Sequence, residues 1–468
     1  MVTAPTQSST WPPGSAPPQD LLADALSSPC PWKSAEVETS VLVAMRDLRG
    51  FIQEQERLGR VLRVSEPVDP VGEAGRILSR SEGRIVVLEQ LRGHAVPVVG
   101  GVSSSRELVA AALAVAPAEV VTTLRHARQH PQSVVAIQDA PFLQAGLEGS
   151  DVGEAVPMLT FRPGADHPYT TSTIIAARSP RYGMNLSFHR MMYLGDNRFS
   201  VRIVPRHLSL ILQEGDGEAE VAVLVGVHPA VSLAAATSAS PEFDELQMAS
   251  ALVGGLETVE LDGLTVPAHT ELVMRGRIVS ELAEEGPFVD LTGTLDGVRQ
   301  QPVLEVTTLY RRPELIYHTL VPGGREHRLL MGLPQEPRIH EAVANAVPCL
   351  KEVALTGGGC NWLHAVVALS SPRPGQARNA GMAALSGHPS LKRVVVVDDD
   401  IDIHDAERVE WAIATRVQPN RDLIVVPECR GSSLDPSRDA ATSTTDKWIV
   451  DATIPAGRER KEFLRAEE

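Results

Sequence analysis

STIIAARSPRYGMNLSFHRMMYLGDNRFSVRIV, residues 172–204, carries the pattern on which the architecture turns. Its apolar stretches are short, and they are broken at Tyr182-Gly183 and again at Gly195-Asp196-Asn197, residue types that favour turns. Residues 172–177 and 199–204 therefore read as strands. Residues 221–225, 271–279 and 303–310 continue the series, with one helix-compatible interruption at 243–252. Strand following strand with few helices between predicts an antiparallel sheet or barrel at the centre of the chain.

The flanks read differently. Towards the N-terminus, Asp47 is placed to cap a helix whose residues Leu48, Phe51, Ile52 and Leu58 fall at helical spacing, and Gly59 ends it. Residues 61–64, 85–88 and 96–99 read as strands, and 106–128 as helix broken near Pro117. From about His327 the strand-like runs 365–369 and 394–397 alternate with helical segments at 375–385 and 406–416, which predicts a parallel or mixed α/β sheet. The expected organisation is a Pro/Ser/Thr-rich disordered leader (1–40), an α/β section (41–150), a strand-rich section (151–325) and a second α/β section (326–468). The fold class is α/β and α+β, in several domains.

Composition narrows the function. The 468 residues hold 43 basic and 59 acidic side chains, a formal net charge of −16, which argues against a general nucleic-acid binder. Aromatic content of 4% leaves little material for base stacking. No apolar run approaches the length of a membrane span. Cys30, Cys349, Cys360 and Cys429 form no CxxC or zinc-like spacing, a usage suited to a reducing cytoplasm. The leader lacks the basic-then-apolar order of a secretory signal.

The densest polar grammar lies between Asn185 and Asp290. Asn185, His207 and Glu245 together offer an amide oxygen, an imidazole nitrogen and a carboxylate, a donor set suited to Mg²⁺ or Mn²⁺. Singly, they read as a turn residue, a partly buried polar residue and a solvated helix face. Arg190 has the geometry to clamp a carboxylate, although on a continuous strand its odd offset from Asn185 puts the two on opposite faces. Glu285 and Asp290 bracket EGPFVD, which Gly286 and Pro287 keep from being helical; they read either as an acid/base pair or as an acidic loop. Gly357-Gly358-Gly359 lacks the Lys and Ser/Thr of a P-loop, and a flexible turn is the simpler reading. No dinucleotide fingerprint supports a plain FMN reductase.

The whole pattern resembles the UbiD family of prenylated-FMN-dependent decarboxylases, from about residue 45 to 453. The resemblance rests on MRDLRGFIQEQERLGRVLRV, on NLSFHR with the later Arg206-His207 pair, on VPAHTELVMRGRI leading into EEGPFVDLTG, and on VVVVDDDIDIHDAERVEWAIATRVQPNRDLIVV. It implies a central flavin-binding split β-barrel and a C-terminal α/β oligomerisation domain, in a homodimer or homohexamer. It further implies that Asn185, His207 and Glu245 ligate Mn²⁺ (or Mg²⁺), with K⁺ as an accompanying monovalent ion. Asn185, Ser187, Arg206, His207 and Lys447 are the implied cofactor contacts. Arg190, Glu285 and Asp290 match the catalytic set: Arg190 orients the substrate carboxylate, Glu285 pairs with it, and Asp290 protonates the carbon that carbon dioxide leaves. The implied reaction is reversible, non-oxidative decarboxylation of an α,β-unsaturated or (hetero)aromatic acid through a covalent cofactor adduct, with a flavin prenyltransferase supplying prenylated FMN. The alternative is a non-catalytic flavin-binding accessory or scaffold subunit. One departure stands out: where the family often has DATNK, this chain has DATIP at 451–455, leaving Lys447 as the nearby lysine.

Overall fold

The computed structural model describes residues 47–80, 83–144, 146–148, 151–161 and 167–463. The expected leader and Cys30 lie outside these. The first helix, Leu48–Arg57, begins where Asp47 Oδ1 accepts the Gly50 N–H at 2.8 Å, and it buries Leu48, Phe51 and Ile52. Beyond it, Val61–Val64, Ile85–Leu88 and Val98–Gly100 form a four-stranded sheet whose last strand, Tyr317–His318, arrives from far along the chain. The helical stretch breaks at Pro117 as expected, into Arg106–Ala112 and Val120–Gln129 with a 3₁₀ turn between.

A nine-stranded sheet occupies the centre, where the strand-rich pattern predicts it. Its long members are Leu272–Glu285 and Arg299–Arg311, paired antiparallel, with Ala219–Val225 and then Ile174–Ser179 and Gly183–Phe188 on one side and Arg198–Val201 and Met191–Gly195 on the other. Alternation along a strand sends residues to opposite faces. Ile174, Ala176, Ala222 and Leu224 enter one apolar cluster, whereas Ile175, Ala177, Val221, Val223 and Val225 enter another. Both faces are covered, so these strands read as continuous apolar runs. Burial of each such aliphatic side chain is worth about 1.5–3 kcal/mol, and this fixes the register.

The C-terminal sheet runs Leu350–Leu355, His364–Leu369, Arg393–Asp398, Thr444–Asp451, Leu423–Arg430. Its inner pairings are parallel and its outer ones antiparallel, so it is mixed. Helices Glu336–Ala346 and Gln376–Gly387 cover one face, and Ala406–Arg416 covers the other. Among the described residues no single helix is long and apolar enough to cross a membrane.

Candidate active site

Arg190 escapes the parity problem because the strand does not continue to it. Gly183–Phe188 pairs with Ile174–Ser179, and Met191–Gly195 pairs with Arg198–Val201; His189 and Arg190 lie between, in neither strand. Glu285 ends the long strand Leu272–Glu285 and has no solvent exposure. Just beyond, Phe288–Val289 pairs with Leu295–Asp296, a short hairpin whose turn begins at Asp290. This hairpin brings a third carboxylate, Asp296, that the spacing argument did not single out. Its signal was there, as an aspartate on the far arm of the turn Asp290–Thr294.

All three carboxylates meet the Arg190 guanidinium. Glu285 accepts from Nε at 2.8 Å and from Nη2 at 3.1 Å, Asp290 from Nη1 at 3.1 Å, and Asp296 from Nη2 at 3.1 Å. The Arg190 guanidinium lies over the Phe288 ring at 4.2 Å, and the Tyr169 hydroxyl donates to Glu285 at 3.2 Å. Burial works against the charge on Arg190, but the hydrogen bonds and negative charges around it prevail and raise its pKa. Burial likewise opposes ionisation of Asp296, yet Arg299 and Arg190 hold its carboxyl down to about 2. Burial, with the Glu285 charge second, keeps the Tyr169 hydroxyl protonated well above its ordinary range. Glu285 is bidentate and sealed. Asp290 makes one guanidinium contact, retains some exposure, and its other oxygen accepts the Leu291 N–H at 2.7 Å. His327, whose ordinary pKa burial lowers, accepts the Gly323 N–H at 3.1 Å and feels the Asp290 charge; it is a neighbour that the sequence reading missed.

A second constellation lies further back along Gly183–Phe188. Asn185 is buried at mid-strand, not in a turn, and Glu245 is 2% exposed, not on a solvated face. The first reading is overturned because Asn185 pairs with Ala177 inside strand Gly183–Phe188, and the second because helix Glu245–Val253 turns its first residue inward, where a Glu245 oxygen accepts the Leu186 N–H at 3.0 Å. Asn185 Nδ2 stands 3.3 Å from His207 Nδ1 and 3.4 Å from each Glu245 oxygen. His207 Nδ1 is 3.8 Å from Glu245. Burial pushes the Glu245 carboxyl up to about 8.

The orientation of these donors is set from behind. His207 Nε2–H donates to the Ala239 carbonyl at 2.9 Å, which leaves the Nδ1 lone pair directed at Glu245 and Asn185. His189 Nδ1–H donates to the Arg202 carbonyl at 2.9 Å, so its Nε2 accepts the Ser187 hydroxyl at 2.9 Å. Burial lowers the His189 pKa to about 4 and so keeps that tautomer neutral. The Ser187 oxygen, 3.0 Å from the Asn185 amide, then has only acceptor capacity left. An Asn185 amide turned with its NH₂ towards Ser187 satisfies that oxygen and aims Oδ1 at Glu245 and His207. A cavity of about 10 Å³ lined by Asn185 and His207 adjoins the trio, which is room for one water-sized ion. Among the described residues no group of three His, Cys, Asp or Glu side chains forms a metal cluster; here the third donor is an amide.

The remaining two predicted contacts lie on separate elements. Arg206 precedes helix His207–Glu214 and donates to Ser238 at 2.6 Å. Lys447 is buried in strand Thr444–Asp451, and its Nζ donates to the Pro389 carbonyl; it bonds to none of the other predicted site residues. The charges of Arg206 and Lys447 nevertheless reach one residue in common. His388, driven down to about 4 by burial first and by Arg338, Lys447 and Arg206 beside it, leaves Nε2 buried without a partner among the described residues.

Three consecutive profiles of one family match the chain: the N-terminal domain of 3-octaprenyl-4-hydroxybenzoate carboxy-lyase over residues 52–128, its Rift-related domain over 134–325 and its C-terminal domain over 328–452. Anhydromevalonate phosphate decarboxylase of Methanothermobacter thermautotrophicus is 42% identical over 88% of this chain and 98% of its own. The enzyme of the same name from Methanosarcina mazei is 38% identical over 86% and 95%. The structure of the UbiD-class enzyme HmfF from Pelotomaculum thermopropionicum with FMN superposes with a TM-score of 0.87 at 36% identity, covering 90% of this chain and 96% of that one. An evolved dimeric form of HmfF with prFMN gives 0.83 at 34% identity, covering 90% and 99%. The chain belongs to the UbiD family of carboxy-lyases.

Proposed function

We propose that the chain is a prenylated-FMN-dependent decarboxylase of an α,β-unsaturated acid, and that its substrate is an aliphatic acid with a phosphate tail, as in the anhydromevalonate phosphate decarboxylases that it resembles. The observation that carries the reading is the convergence of Arg190, from the link between two strands, with Glu285 and Asp290, from a stretch nearly a hundred residues later, into one buried cluster. The residues also suit the cofactor and its metal. Asn185, His207 and Glu245 bring oxygen and nitrogen donors within 4 Å of one another, a small cavity adjoins Asn185 and His207, and a divalent cation held by the three offsets the cost of ionising buried Glu245. Arg206 and Lys447 are the cations for the cofactor phosphate, and the charge of both is felt at His388, whose Nε2 has no partner among the described residues. When bound, prenylated FMN supplies the electron sink for decarboxylation.

The protein's own residues supply position and a proton. Glu285 holds Arg190 from the sealed side with two hydrogen bonds, which fixes the plane of the guanidinium. Asp290, held by Arg190 through one bond, is the carboxylate free to give way as the substrate carboxylate takes its place; released from Arg190 and partly exposed, it takes a proton from water and delivers it to the substrate carbon after carbon dioxide leaves. Phe288 and Tyr169 keep water off the guanidinium.

The test is co-expression with a flavin prenyltransferase, followed by mass analysis of the released chromophore, metal analysis, and carbon dioxide release from anhydromevalonate phosphate. Prenylated FMN with manganese and turnover support the reading. A loaded protein that turns over neither this acid nor an aromatic panel makes it an accessory subunit and refutes the proposal.

A further inference from the structure

Resting on the reading above, we infer that the cleft beside the Asp290 hairpin, walled by Arg76, Arg80 and Arg92, takes the phosphomonoester end of the substrate. The cleft measures about 810 Å³, within the range of small-molecule sites. Phe161, Val289 and Val321 are among its apolar lining residues. Two of these tie it to the catalytic cluster. Val289 immediately precedes Asp290, and Phe161 packs on the Tyr169–Phe288 group that touches Glu285 and Arg190.

The rim is cationic. Arg76 and Arg80 come from helix Glu73–Ser79 and the residue that ends it, and Arg92 from the turn after strand Ile85–Leu88. Gly75 brings that helix against Phe161, where a Cβ would stand 3.2 Å from the ring. Two carboxylates also line the cleft, and both are engaged locally. Asp69 accepts the Val71 N–H at 2.7 Å and lies 3.6 Å from Arg92; Glu73 accepts the Asp69 N–H at 2.9 Å and is 3.9 Å from Arg76. Arg80 has no ion pair among the described residues, so the cleft holds one guanidinium that none of the described carboxylates engages. Apolar side chains, Val289 of the Asp290 hairpin among them, and a set of arginines lining one cleft suit a short branched chain that carries its carboxylate at one end and a phosphate at the other.

The experiment uses the prenylated-FMN-loaded full chain and two readouts. The first is the ratio of kcat/KM for anhydromevalonate phosphate to that for its phosphate-free analogue. In Arg80→Gln and in Arg76→Gln this ratio falls about tenfold or more, the loss expected for one charge-assisted hydrogen bond, whereas Arg57→Gln on a distant exposed helix leaves it unchanged. The second is calorimetric binding of a branched alkenyl phosphate, the substrate less its carboxyl group, with inorganic phosphate as competitor. Binding that exceeds that of inorganic phosphate and weakens in Arg80→Gln supports the cleft even if no acid is decarboxylated, a result that would fail only the catalytic reading. An unchanged ratio in Arg76→Gln/Arg80→Gln/Arg92→Gln, or an alkenyl phosphate that binds no better than inorganic phosphate, overturns the assignment.

Discussion

Replacing Glu285 by Gln removes one negative charge and almost no volume from a position without solvent exposure. In the native cluster Oε1 accepts from Arg190 Nε at 2.8 Å and from Tyr169 at 3.2 Å, and Oε2 accepts from Arg190 Nη2 at 3.1 Å. A carboxamide keeps only one end as acceptor. With its oxygen towards Nε and Tyr169, its NH₂ faces Nη2, donor against donor, and Nη2 keeps only Asp296 at 3.1 Å. One lost charge-assisted bond costs about 1.5–3 kcal/mol. Because Asp290 and Asp296 still balance Arg190, the larger penalty of roughly 3–5 kcal/mol for an abandoned buried charge does not apply. In a chain of this size the melting temperature falls by about 4 °C at most. Turnover suffers more, since the bidentate pair sets the guanidinium plane that receives the substrate; a loss of about 10²–10⁴ is expected. The assay is carbon dioxide release normalised to bound cofactor, with a melting curve alongside. Turnover within about threefold of the native enzyme at equal cofactor content would falsify the role given to Glu285.

Further predictions follow from neighbouring contacts. Asp290→Asn keeps the hydrogen bond to Arg190 but cannot deliver a proton, so kcat falls about 10²–10⁴; proton exchange into the product carbon, followed by NMR in deuterated buffer, falls with it. Ser187→Ala removes the group that turns the Asn185 amide, and manganese affinity in a titration of the apoprotein drops about tenfold or more; unchanged affinity dismisses that relay. Asp296 is depressed from 3.8 to about 2, so its contribution to stability is present above pH 3.8 and is lost as pH falls towards 2. Asp296→Asn therefore lowers stability at neutral pH by roughly 1–2 kcal/mol after allowance for screening, and the gap to the native protein in urea titrations closes on acidification. Gly323 has φ +65°, and a Cβ there would stand 2.9 Å from the Asp290 carbonyl oxygen. Gly323→Ala costs about 1 kcal/mol in backbone strain and shifts Asp290, which lowers kcat more than it changes cofactor loading.

Elements whose local chemistry and burial agree were legible in the residues. Asp47 caps its helix, Pro117 breaks the next one, and the run Val394–Val397 lies within a buried parallel strand between helices. Five central strands were legible because their short apolar runs sit near turn residues, whereas Gly183–Phe188 and Met191–Gly195 were not named; the strand Leu272–Glu285 runs six residues beyond the expected end, since its outer half pairs with Arg299–Pro302 through a register shift. Tyr317–His318 could not be foreseen as part of the N-terminal sheet, because a two-residue strand carries no period and its partner, Val98–Gly100, lies over two hundred positions away.

The site divides along the same line. Residue types and the family resemblance named Arg190, Glu285, Asp290, Asn185, His207 and Glu245. Which of them meet was a matter of tertiary structure: the strand break at His189-Arg190 frees Arg190 from its parity, and a hairpin adds Asp296 to the cluster. Lys447 likewise takes its place from the tertiary fold, which buries it in strand Thr444–Asp451 with its ammonium donating to the Pro389 carbonyl. Sequence determines what a side chain can donate, accept or ionise, because those properties are local. It does not determine which groups share a low-dielectric pocket, because that depends on strand partners and on chain crossings between residues far apart.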